Sequence, residues 1–186
     1  MQPKVYCDMA ALSPGKDTGM SAPLLRGHML ALLHPFFAHH PHTYALAIPQ
    51  SDKSHGTLRI FASTLGELDA LVQQYLRASA WMRDYARIGA PETVPEDFSG
   101  AWFAFRRWRI PTLKTDRHTG ENHGTLRQRR MEQAKDKDYF IMRSTSTGQR
   151  FTLIVAREPG QRPQGDCLPN SYGLCGQHNL FCLPEL

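Results

Sequence analysis

Two apolar runs, Tyr139-Phe140-Ile141-Met142 and Phe151-Thr152-Leu153-Ile154-Val155, flank the hydroxyl-rich segment Arg143-Ser144-Thr145-Ser146-Thr147-Gly148-Gln149-Arg150. β-branched and aromatic residues suit pleated strands, and Gly148 supplies a turn between them, so the stretch predicts a β-hairpin. Small polar residues at a hairpin tip, set between two arginines and a phenylalanine, suit a phosphate and a base better than a core. The competing reading is an ordinary polar turn with surface arginines.

Upstream, the pattern alternates between strand and helix. Residues 4–11 read as a strand. Asp17-Thr18-Gly19 offers a cap before a helical run from Met20 to about Leu33, with Leu24, Leu25, Leu32 and Leu33 on its apolar positions. Thr43–Ile48 reads as a strand ended by Pro49. Thr57–Ala62 reads as another, after the turn-like Ser51–Gly56. Ser63 or Thr64 is placed to cap a second helix carrying Leu65, Leu68, Leu71, Val72, Tyr75 and Leu76, with Glu67 completing a capping box. A strand over Ala86–Val94, weakened by Gly89 and Pro91, closes the unit. The expected class is therefore α+β: a ferredoxin-like βαββαβ domain over residues 1–97, ending at the polar stretch Pro95–Gly100, and a second lobe over residues 98–186. That fold hosts many activities, so it does not select one.

The second lobe opens with the aromatic and arginine-rich strand Ala101–Ile110, stopped by Pro111. A polar loop over Thr115–Gly124 and a helix over Thr125–Lys135 follow, with Arg127, Arg130 and Ala134 on one face and Arg129 beside it. An irregular segment, Ser171-Tyr172-Gly173-Leu174, leads to the C-terminus. Charge separates the halves. Residues 1–97 carry 8 Lys/Arg against 9 Asp/Glu, whereas residues 98–186 carry 14 against 8, with 8 Lys/Arg and 2 acids in 106–130 alone. A neutral scaffold joined to a basic lobe points to a polyanionic partner. The start, Met1–Asp8, lacks the basic-then-apolar order of a signal peptide, and no stretch approaches the roughly 18 apolar residues of a membrane span. With four cysteines and no CxxC, a cytoplasmic protein with reduced thiols is expected.

The hairpin Arg143–Phe151, followed some twenty residues later by Tyr172-Gly173-Leu174, resembles the C-terminal signature of the CRISPR repeat-processing endoribonucleases of type I-F systems. Met20-Ser21 followed by His28 matches that family's spacing from the start of the first helix to the active-site histidine. Gly89-Ala90-Pro91 through Pro95 resembles the end of its first domain. By a rough count of matched elements, about 70–80% of the chain can be laid against the pattern.

The resemblance implies metal-independent cleavage of precursor CRISPR RNA at the base of a repeat hairpin. The RNA's own 2′-hydroxyl attacks the adjacent phosphate, leaving a 2′,3′-cyclic phosphate and a 5′-hydroxyl, and the protein stays on its product. His28 then matches the catalytic histidine, imidazole being the side chain poised to move a proton near neutral pH. Ser144 matches the serine that orients the 2′-hydroxyl, and Tyr172 an active-site tyrosine. Ser146 and Thr147 match hydroxyls near the scissile region. Phe151 matches the aromatic that stacks on the closing base pair. Arg107 and Arg109 match the positions that read the lowest base pairs; Arg109 departs from the usual glutamine, and arginine can pair bidentately with guanine. Arg127, Arg129 and Arg130 match the arginine helix, here poorer in arginine because Gln128 and Glu132 intervene, which predicts weaker or more salt-sensitive binding. The implied partners are the repeat RNA hairpin and other subunits of a type I-F surveillance complex, with no cofactor, no metal and a monomer when alone.

Two other classes compete. A non-catalytic subunit would only cap guide RNA with the same surface. A zinc-stabilised nucleic-acid-binding protein would use Cys167, Cys175, His178 and Cys182, though their spacing resembles no common zinc motif. The dense set His34, His39, His40 and His42 also suggests a metal, or a substitute imidazole from His34 or His39.

Overall fold

The computed structural model describes residues 1–12, 20–49, 56–112, 123–144 and 147–186, with the backbone alone over 123–125. Two antiparallel sheets and their helices make a mixed α+β structure. The first sheet has the order β2-β3-β1-β4, built from β1 Val5–Ala11, β2 Ala45–Ala47, β3 Thr57–Ala62 and β4 Ala86–Ile88, and β5 Glu92–Thr93 also pairs with β1. The second has the order β7-β8-β6-β9, from β6 Trp102–Trp108, β7 Asp138–Arg143, β8 Arg150–Gly160 and β9 Leu183–Pro184.

Helix α1, Ala22–His39, lies between the sheets in packing terms: Met29, Leu30, Leu33 and Phe37 enter one core with Cys7, Met9 and Ile60 of the first sheet and with Phe140, Leu153 and Val155 of the second. It begins at Ala22, with Ser21 as its N-cap position, rather than at Met20, and runs past the expected end at Leu33, continuing through Pro35. Proline lacks only its own N–H, and the surrounding core contacts outweigh one missing helical bond. The expected cap Asp17–Gly19 and most of the turn Ser51–Gly56 lie outside the described residues.

Thr64 caps α2, Leu65–Asp69, through the capping box read from the sequence: the Glu67 N–H donates to Thr64 Oγ1 at 3.3 Å and the Thr64 N–H to Glu67 Oε2 at 2.9 Å. The helix then loosens into a π-helical segment, Ala70–Leu76, that keeps Leu71, Val72 and Leu76 buried. A separate short helix, α3 Ala80–Tyr85, was not expected. Ser79 caps it, its hydroxyl accepting from the Met82 N–H at 3.3 Å. The expected strand Ala86–Val94 is split into β4 and β5, the break falling at Gly89 and Pro91. The expected strand Thr43–Ile48 shortens to β2. Helix α4 spans His123–Glu132, two residues earlier at its start than expected, so His123 and Gly124 are helical; residues 115–122 of the expected loop lie outside the described residues. Strand β9 was not foreseen.

Helix α1 crosses β7 at Gly27. A Cβ there would overlap the Ile141 carbonyl oxygen and come within 2.7 Å of its carbonyl carbon, so only glycine lets the helix backbone sit on the strand. Arg26, 2% exposed, fixes the same crossing. Its Nη1 donates to Asp138 Oδ1 at 3.1 Å and its Nη2 to the Tyr139 carbonyl at 3.2 Å. Further ties join the first sheet to later chain: the Leu46 N–H donates to the Gly173 carbonyl and Arg59 Nη1 to the Leu186 carbonyl, each at 2.8 Å. Among the described residues no helix is long and apolar enough to cross a membrane.

Gly27→Ala is expected to cost about 1–3 kcal/mol of stability, the usual range for overpacking a close contact, measured by denaturant unfolding. Unaltered stability would mean that α1 does not rest on β7 at this point.

Candidate functional site

The hairpin forms as the sequence predicts, β7 pairing with β8 in the register Met142↔Phe151 and Arg143↔Arg150. Gly148 turns the tip at φ +68°, a conformation that favours glycine. The tip is internally bonded: the Ser144 N–H donates to the Gln149 carbonyl at 2.9 Å and the Gly148 N–H to the Ser144 carbonyl at 2.9 Å. The Ser144 hydroxyl oxygen accepts from the Thr147 N–H at 3.2 Å, and Arg143 Nε donates to the Gly148 carbonyl at 2.9 Å. Ser144 is half-buried, whereas Thr147 is exposed. Ser146 lies outside the described residues. Phe151 is half-buried against the core edge, so part of its ring remains open.

His28 follows Gly27 on α1, and the crossing places its helix turn on the strand that leads, three residues after Ile141, to Ser144. Its imidazole is stacked on Trp81 of α3, centroids 4.2 Å apart and planes 18° from parallel. Burial pushes the His28 pKa below the usual imidazole value.

Tyr172, in the turn after β8, meets α1 at a different point. Its ring meets His34 with centroids 4.2 Å apart, and Ser171 Oγ is 3.3 Å from His34 Nε2. Six residues separate His28 from His34, about 9 Å along the axis at 1.5 Å per residue. The structure therefore couples Tyr172 to His34 rather than to His28, and burial lowers the His34 pKa too.

The arginines divide. Arg107 and Arg109 are exposed at the end of β6. A cleft of about 380 Å³ joins Arg107, Trp108, Arg109 and Arg130 to Ser171 and Tyr172, so residues from three distant segments share one basic wall. On α4, Arg130 lies over the Trp108 ring at 4.2 Å, Trp108 Nε1 donates to the Arg130 carbonyl at 3.2 Å, and Arg127 Nη1 donates to the Pro111 carbonyl. The face shared by Arg127 and Arg130 thus anchors the helix to β6, and Arg129 projects outward without a partner among the described residues. Helical spacing could group these residues but not say which group would meet protein.

The other clusters do not converge. His39 and His40 each donate Nδ1–H to a carbonyl one turn back, Pro35 at 2.7 Å and Phe36 at 2.9 Å, and His42 donates to Pro169 at 3.0 Å. Cys7, Cys167, Cys175 and Cys182 are free and buried, and burial raises the thiol pKa values of Cys7 to about 12 and of Cys167 to about 11. Among the described residues no group of three His, Cys, Asp or Glu is placed to hold a metal ion. Sequence reasoning missed Trp81, whose signal was an aromatic pair at i and i+4 with Tyr85 in a stretch given no element.

The depressed pKa values of His28 and His34 mean that the unfolded chain binds protons more readily than the folded one. Their contribution to stability is therefore present above the ordinary value of 6.5 and lost as the pH falls through the folded values. Stability measured by denaturant at falling pH should decline below that point, and slightly less steeply in His28→Ala; an identical slope in the variant would refute the partial desolvation of this imidazole, whose residue is otherwise open to solvent.

No curated protein matches the chain. The family model described as CRISPR-associated protein (Cas_Csy4) matches residues 6–180, which takes in both sheets' main strands, His28, the arginine helix, the hairpin and Tyr172. The chain belongs to this Csy4 family of CRISPR-associated repeat-processing, RNA-binding proteins.

Proposed function

We propose that this protein is a metal-independent, sequence-specific endoribonuclease that cuts precursor CRISPR RNA at the base of its repeat hairpin and remains bound to the product. The observation that carries the reading is the seating of α1 on β7 at Gly27, which puts the helix of His28 against the strand that leads into Ser144. Residues 1–97 form a ferredoxin-like unit on this reading, supported by the β2-β3-β1-β4 order with antiparallel pairing, and residues 98–186 form the RNA-binding lobe.

In the reaction, the 2′-hydroxyl before the cut loses its proton, its oxygen attacks the adjacent phosphorus, and the bond from phosphorus to the 5′-oxygen breaks. That oxygen takes up a proton, leaving a 5′-hydroxyl and a 2′,3′-cyclic phosphate. Burial favours the neutral form of His28, the form able to accept the 2′-hydroxyl proton. Ser144 contributes position: a serine hydroxyl is a weak base, but holding the nucleophile in line removes much of the entropic barrier. Thr147, with Ser146, borders the scissile phosphate, and Phe151 stacks on the closing base pair, worth roughly 1–3 kcal/mol. Arg107 and Arg109 read the lowest pairs, while Arg129 reaches phosphate from the helix that Arg127 and Arg130 brace. The protein acts in the cytoplasm, as a monomer when alone and otherwise with other subunits of a type I-F complex.

A second reading keeps the reaction and moves the imidazole. His34, with Tyr172 and Ser171 against it, has the partners expected of a catalytic histidine, so Tyr172 belongs to whichever site it serves.

Incubation with repeat hairpin RNA in excess EDTA tests both. Wild type should cut, and His28→Ala should bind and not cut. Cleavage lost in His34→Ala but kept in His28→Ala would transfer the role to His34. Tight binding without cleavage by the wild type would leave only an RNA-capping subunit. RNA with a 2′-deoxy nucleotide before the cut should resist cleavage.

The arginines predict a contrast in binding. Arg129→Ala should lower the dependence of log affinity on log salt by about one contact's slope without loss of stability. Arg130→Ala should chiefly destabilise the protein through loss of its stack on Trp108. Equal salt slopes for Arg129→Ala and wild type would sink the phosphate contact.

A further inference from the structure

We propose that Trp81 is a positioning residue for the cleavage reaction, holding the His28 imidazole by its face so that both ring nitrogens stay open to the RNA. The inference rests on His28 as the reacting imidazole.

His39, His40 and His42 each commit Nδ1 to a backbone carbonyl. His28 makes no hydrogen bond among the described residues, and the contact that orients its ring is the indole of Trp81, at 4.2 Å and 18°. Behind it, Tyr85 backs Trp81, centroids 5.2 Å apart and planes 28° from parallel, so the indole is itself held between two rings. The stack is mounted on a capped turn: Ser79 accepts from the Met82 N–H, and Met82 is wholly buried. Trp81 and Tyr85 are four residues apart on α3, a spacing that sets their rings side by side on one face of the helix, with Trp81 the ring that meets α1.

Proton transfer to an imidazole runs through a nitrogen lone pair in the ring plane. A hydrogen-bonded anchor uses one nitrogen and fixes the tautomer. A stacked anchor uses neither, restricting rotation of the plane while leaving both edges exposed. Once the ring has taken the 2′-hydroxyl proton it becomes a cation on an indole face, an arrangement that is electrostatically attractive. The neutral ring is thus held without a tautomeric choice, and the charged ring is held more tightly.

The test is single-turnover cleavage of repeat hairpin RNA by Trp81→Ala, Trp81→Phe and His28→Ala, with affinity measured on the uncleavable 2′-deoxy RNA and the His28 ring protons followed by NMR. Loss of ring orientation should slow Trp81→Ala by about 10- to 100-fold, the scale of a small misplacement of a catalytic group. Its affinity for the 2′-deoxy RNA should match wild type, and its His28 ring protons should move downfield as the indole ring current is lost. Trp81→Phe, which keeps an aromatic face, should recover most of the rate. Wild-type cleavage by Trp81→Ala while His28→Ala is inactive would overturn the role of Trp81 alone. Parallel loss of affinity and rate without rescue by Trp81→Phe would reduce Trp81 to a structural residue. Cleavage by His28→Ala at the wild-type rate would overturn the assignment of His28 itself.

Discussion

The seating of α1 on β7 governs the geometry of everything else in this protein. A helix and a strand normally keep side chains between their backbones; here Gly27 removes that spacer and the two main chains touch at Ile141. Arg26 locks the crossing angle by reaching Asp138 and the Tyr139 carbonyl from a nearly inaccessible position. Its Nε has no hydrogen-bond partner among the described residues, so the locking there is incomplete in polar terms, and the guanidinium lies over the Phe140 ring at 5.3 Å. A buried ion pair of this kind is poor evidence for net stability, but breaking one half of it leaves an uncompensated charge. Its value here is registry: it fixes which residue of α1 faces which residue of the hairpin strand.

Two groups of candidate residues lie along α1. His28 follows the crossing itself and stacks on Trp81 of α3. Toward the C-terminal part of α1 lie His34 and Tyr172, opening on the cleft walled by Arg107, Arg109 and Arg130. One long helix therefore serves both regions, and its passage through Pro35 is what makes it long enough to reach the second. The arginine-rich helix is anchored by two of its three arginines, Arg127 and Arg130, which turns most of its cationic charge into structure and leaves Arg129 to face outward.

Much of the fold was legible because it rests on local rules. The hairpin followed from two β-rich runs and one glycine, and the second helix from the Thr64 and Glu67 capping box. Where the structure departs from the sequence pattern, long-range compensation is involved. Pro35 should end a helix on local grounds, but core burial of Leu33 and Phe37 on either side carries it through. The π-helical turns over Ala70–Leu76 keep the same residues buried that an α-helix would, so periodicity cannot separate them. In the candidate site, residue types and their helix or strand were readable, while the pairings were not. No spacing rule connects Trp81 with His28, or Tyr172 with His34, because each pair meets only after the sheets have packed.

The Arg143 side chain closes back on the tip of its own hairpin, donating to the Gly148 carbonyl two residues before its cross-strand neighbour Arg150. A long cationic side chain ordinarily gives up about 2 kcal/mol of rotamer freedom when it is immobilised. Arg143 is already tethered before any ligand arrives, so the ordering cost falls on folding rather than on association. A cation held in place before association discriminates more sharply between correct and incorrect shapes, because a group that cannot adapt cannot accommodate a poor fit.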